Sequence, residues 1–134
     1  MNPRLAVLVG SLALLACAVP AMAHHSFAAE YDEKKPVTLK GVVTKVEWTN
    51  PHARFYLDVK DDRGNVVNWN LELASPNVLM RNGWTRKSLQ PGDQVVVTGS
   101  QAKDGTNMAN ARAVTLSDGR KVFAGSSADG GPQQ

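Results

Sequence analysis

Cysteine is nearly absent: Cys17 is the only one in 134 residues. A lone thiol closes no internal disulfide, so the fold must hold without a staple. Charge of one sign is never concentrated. The like-charged runs stop at pairs such as Lys34-Lys35, Asp61-Asp62 and Arg86-Lys87, and the formal net charge is +3. This is a mildly basic, mixed surface rather than a polyanion-binding one, and no nucleic acid is expected as a partner. There is no phosphate-binding glycine loop and no dinucleotide fingerprint. Ser26, Ser75 and Ser88 lack the glycine-flanked turn of a hydrolase nucleophile. Histidine is limited to His24, His25 and His52. With so few catalytic groups on a small domain, the expectation is that the chain is not an enzyme. The long apolar run, Leu5 to Val19, contains Gly10 and Ser11 and falls short of the roughly 20 residues that span a bilayer.

What is present begins with that run. Arg4 precedes it, Pro20 breaks it, and Ala21-Met22-Ala23 has the small-x-small form of a signal-peptidase site. Residues 1–23 therefore read as a secretory signal peptide cut after Ala23, giving a periplasmic protein with no membrane attachment after cleavage. An alternative stands beside it: Leu14-Leu15-Ala16-Cys17 resembles a lipobox, with Leu15 fitting poorly. Cleavage after Ala23 makes His24 the new N-terminus, with an amine and an imidazole on one residue and His25 next to it.

The remainder predicts one domain, with 24–35 an N-terminal segment, 36–123 the folded body and 124–134 a small, glycine-rich disordered tail. Val37 and Leu39 fall on odd positions, and Val42, Val46 and Trp48 on even ones. The parity change near Gly41 suggests a bulge that bends a long first strand. Ala53, Phe55, Leu57 and Val59 alternate with polar residues. Asp61 to Asn65 form a turn, and Val67, Trp69, Leu71 and Leu73 alternate in turn, so the two strands make a hairpin. Ser75 caps a short helix with Pro76 in its first turn and Gly83 after its end. Val95 to Gly99 and Met108 to Leu116 are strands around a Lys103–Asn107 loop, and Val122-Phe123 adds a short edge. Strand, strand, strand, helix, strand, strand is the layout of a five-stranded OB-fold-like barrel, a mainly β fold. An open antiparallel sheet with one packed helix is the rival.

Several segments also carry a family resemblance: His24 to Asp32, Gly41 to His52, Leu73-Ala74-Ser75-Pro76-Asn77, Gly83-Trp84-Thr85 and Pro91-Gly92-Asp93. In these the chain resembles the domain-of-unknown-function 6152 family of small exported bacterial proteins. Arg54-Phe55 departs from the expected pattern, which has a bulkier or aromatic first residue. The resemblance implies a periplasmic protein and adds no reaction.

Two functional readings follow. In the first, the protein is a non-enzymatic binding or accessory module for an unknown periplasmic protein or small ligand. Asn50, His52, Tyr56, Asn68 and Asn70, with Glu72, would form its polar binding face. In the second, His24, His25 and His52 hold one copper or zinc ion, since imidazole suits both metals and an N-terminal histidine chelates through its amine and ring. The plainer alternatives are a solvated His-His stub and a His52 that only caps a strand end. Trp69 and Trp84 are expected in the core, leaving Tyr56 as the outward aromatic.

Overall fold

The structure is a computed structural model, and it describes residues 27–125. The expected signal peptide, with Cys17, His24 and His25, lies outside the described residues, as do residues 126–134. A short helical stretch, 27–30, leads into the first strand. The elements that follow are β1 (Tyr31–Glu47), β2 (Arg54–Lys60), β3 (Val66–Glu72), α1 (Pro76–Arg81), β4 (Gln94–Ala102), β5 (Met108–Thr115) and β6 (Lys121–Phe123). The protein is mainly β, with six strands: the five expected and the short edge strand expected at Val122-Phe123. The sixth forms because the turn at Ser117–Arg120 returns Lys121–Phe123 antiparallel onto Ala113–Thr115.

The strand order is β3-β2-β1-β4-β5-β6, and β3 also pairs with β5. That extra pairing is parallel and joins Asn70, Leu71 and Glu72 to Met108, Ala109 and Asn110. It closes a ring of pairings, β1-β2-β3-β5-β4 and back to β1. The inner residues of all five strands meet in one cluster that includes Leu39, Val43, Phe55, Leu57, Leu71, Val95, Val97, Ala109 and Val114. α1 and the residues after it supply Leu79, Trp84 and Leu89 to the same cluster. Ser75 caps α1 by accepting from the Val78 amide, and Pro76 stands in the first turn. Trp84 is 2% exposed, and its indole N–H donates to the Phe123 carbonyl at 2.7 Å.

Three boundaries differ from the sequence reading. The bulge in β1 lies at Thr44, where the register with β2 slips between Val43 and Lys45, and not at Gly41. Leu39 and Val43 are thus buried in odd phase before the slip, and Val42 is left 39% exposed. Gly41 serves close approach instead. A Cβ there would stand 2.2 Å from the Asp58 carbonyl oxygen. Second, β1 starts at Tyr31, inside the segment assigned to residues 24–35. Tyr31 pairs with Ala102 and is 2% exposed. Third, Ala124 belongs to the body and not to a tail. It is fully buried, its carbonyl accepts from the Ala74 amide, and its own amide donates to Arg112 O. Arg112 is the bulged residue of β5, passed over where the register with β4 slips between Thr98 and Gly99, so its carbonyl can turn to the C-terminal segment.

Candidate functional site

β2 and β3 run in unbroken register, so their outward side chains form a ladder: Arg54 opposite Glu72, Tyr56 opposite Asn70, Asp58 opposite Asn68. Polar residues were expected here, and the structure places Tyr56, Asn68 and Asn70 on this one face. Each already has partners. Asn68 Nδ2 donates to Asp58 at 2.7 Å, and Asn70 Oδ1 accepts from Arg54 at 3.2 Å. The Lys45 ammonium sits 5.3 Å from the centre of the Tyr56 ring, and the Tyr56 hydroxyl donates to Glu47 at 3.3 Å. Lys45 and Glu47 are themselves paired. This holds the Glu47 carboxyl below its ordinary value and the Lys45 ammonium above its own. Asn50 is exposed in the loop before β2.

The end of the ladder differs from its middle. Glu72 points outward by strand alternation, yet it is only 7% exposed. Arg54 pairs with its Oε2, Asn110 lies beside it across the parallel seam, and Tyr31 packs over it from the start of β1. The Tyr31 hydroxyl is the one buried side-chain polar atom among the described residues without a hydrogen-bond partner. Burial first, then the charges of Glu72 and Glu30, push its pKa well above the usual phenol value. The Glu72 carboxylate is near enough to act on the phenol's acidity.

His52 stands at the same end. Its Nδ1 lies 3.1 Å from the Leu73 carbonyl oxygen and 4.0 Å from Glu72 Oε1, while 42% of the side chain stays exposed. A carbonyl only accepts, so Nδ1 carries a proton, and the tautomer that keeps this bond has its lone pair at Nε2. The loop that carries it is tied down by paired bonds, Ala53 N to Ala74 O and Leu73 N to Ala53 O. The expected strand-end cap is therefore present. The structure brings His52, Asn70, Tyr56 and Asn68 to one side of the hairpin, and places Asn50 in the adjoining loop. Among the described residues no group of three His, Cys, Asp or Glu side chains could hold a metal ion.

Sequence reasoning missed Tyr31 and the role of Arg54. The pair with Glu72 was readable in principle. Once the Asp61–Asn65 turn fixes the register, residues 54 and 72 must face each other. Tyr31 left no periodic signal, because charged residues follow it directly.

Fold and site together define a small β protein with a closed ring of strand pairings and a polar cluster at its parallel seam. The chain belongs to the family of unknown function DUF6152, whose model matches residues 12–111. No curated protein and no solved structure matches it.

Proposed function

We propose that this chain is an exported, non-enzymatic accessory module of the periplasm that binds its partner or ligand at the His52 end. The body is read as an OB-type barrel. The reading is supported by the pairing cycle β1-β2-β3-β5-β4, the parallel β3–β5 contact and the helix between β3 and β4. One observation carries the binding site: His52 is locked through Nδ1 to Leu73 O, which leaves Nε2 aimed away from the contact on a half-exposed ring. Around it, Asn50 and the ladder residues Tyr56, Asn68 and Asn70 supply further polar contacts. The test compares the mature chain with His52→Ala as immobilised bait in periplasmic extract. A partner retained by the first and lost by the second supports the module. Identical retention by both removes His52 from the site.

A second reading has its own support. Histidines that bind a metal through one nitrogen commonly donate the other N–H to a backbone carbonyl, as His52 does to Leu73. Tyr31 anchors the start of β1 beside Glu72, which His52 also approaches. Six residues separate His24 from Tyr31, four of them in the helical stretch 27–30, so the chain keeps His24 within about 20 Å of this end. In this reading His24, His25 and His52 bind one copper ion, or zinc, after cleavage behind Ala23. Copper is titrated into the chain starting at His24 and into one carrying an extra leading residue. Tight one-to-one binding that weakens in the extended form and in His52→Ala supports the metal. Equal, weak binding by all three ends it.

A further inference from the structure

A different feature opens at the far end of β2. β1 pairs with β2 only from Gly41 to Glu47, but its pairing with β4 continues past Gly41 to Pro36 and Tyr31. β2 meanwhile stays with β3 as far as Lys60 and Val66. The outer face therefore splits beyond Gly41, and a groove of about 660 Å³ lies at the split. Val42 and Val66 are its apolar walls, 39% and 58% exposed. Single exposed apolar residues are ordinary; two of them facing one groove leave it dewettable by an apolar ligand. Lys40 and Lys60 also line it, and neither has an ion pair or hydrogen bond among the described residues. Asp58, the acidic lining residue, is tied to Asn68.

We propose that this groove binds an aliphatic carboxylate, a free fatty acid. The carboxylate lies between the ammoniums of Lys40 and Lys60, where charge-assisted hydrogen bonds hold it. The acyl chain runs over Val42 and Val66 and removes apolar surface from water. Asp58 sets the direction, because it repels a carboxylate placed at its own end of the groove. The volume lies within the range of small-molecule sites. This site is separate from the His52 end and does not depend on it.

The test uses the mature full-length protein and dodecanoate below its micelle concentration, followed by calorimetry and by amide chemical shifts. Saturable one-to-one binding is expected, with shifts centred on Gly41, Val42 and Val66. Val66→Asp, Lys40→Glu and Lys60→Glu are each expected to weaken it by about tenfold. Lys87→Glu makes the same charge change on a distant exposed turn and is expected to leave affinity unaltered. Unchanged amide spectra in the variants verify that they fold. The proposal is overturned by absence of saturation, by an equal loss in Lys87→Glu, or by shifts centred outside the groove. Binding to anionic lipid vesicles without binding to free dodecanoate overturns it as well.

Discussion

The two ends of the outer β1–β2–β3 face use the same kinds of side chain in opposite ways. At the seam, where β3 meets β5, charged groups are covered and satisfied: Arg54 holds Glu72, Asn70 accepts from Arg54, and His52 is fixed on Leu73 O. At the split, where β1 leaves β2, the lysines have no partner among the described residues and the valines lie open. The difference follows from strand geometry. Closing a ring forces outward side chains at the joint under neighbouring chain, here the start of β1. Parting two strands uncovers residues that would otherwise have flanked a neighbour. Polar character alone therefore does not mark a binding surface. At the seam it marks structure, while the half-exposed His52 ring reaches beyond it.

Substitutions should separate the two ends, most strongly at the seam. Arg54→Met leaves the Glu72 carboxylate covered and unpaired, and is expected to lower unfolding free energy by about 3 kcal/mol in urea titrations. Changing both residues to methionine is expected to recover most of that loss. A double variant no more stable than the single one would show that the pair is not the unit holding the seam. Gly41→Ala comes next. Its Cβ meets the Asp58 carbonyl at 2.2 Å, so a loss of about 2 kcal/mol is expected as β1 and β2 are pushed apart. Tyr31→Phe removes a hydroxyl that has no partner among the described residues. Its stability is expected to stay within about 1 kcal/mol of the parent, on the stabilising side. A marked loss would mean that the phenol does bond Glu72 in solution. At the split, Lys40→Ala and Lys60→Ala are expected to shift stability by no more than about 0.5 kcal/mol, since neither lysine has a partner to lose among the described residues.

Acid should act at the turns and at the Lys45–Glu47 pair, whose carboxyl is also held below its ordinary value. Hydrogen bonds from Asn65, Thr106 and Arg120 hold Asp61, Asp104 and Asp118 below the ordinary aspartate value of 3.8. A carboxyl depressed in the folded state stabilises it fully above its unfolded value, and that contribution fades as pH falls through the folded one. The urea midpoint is therefore expected to be flat near neutrality and to fall below about pH 4. Asp61→Asn should make the fall shallower.

Local pattern made the hairpin, the cap on α1 and the burial of Trp84 readable in the sequence, because each depends on residues close together in the chain. The slip at Thr44 was only half readable. Val43 and Val46 on opposite parities require a bulge between them, but Gly41 drew attention as the residue bulges favour. Its actual constraint is a strand distant in sequence. Tyr31 and Ala124 were missed for a related reason. Their burial is created by ring closure, which no local periodicity records. Of the candidate site, the ladder and His52 were legible. The cover over Glu72 was not, since it arrives from a segment more than one strand away.

The bond from Ala74 N to Ala124 O has a practical consequence for anyone trimming this gene product. The family match ends at residue 111, midway along β5. A protein stopped there would lose the second half of that strand, all of β6, the acceptor for the Trp84 indole and the small methyl plug at 124. Homology limits are thus a poor guide to the minimal folding unit, whose last indispensable residue lies beyond β6.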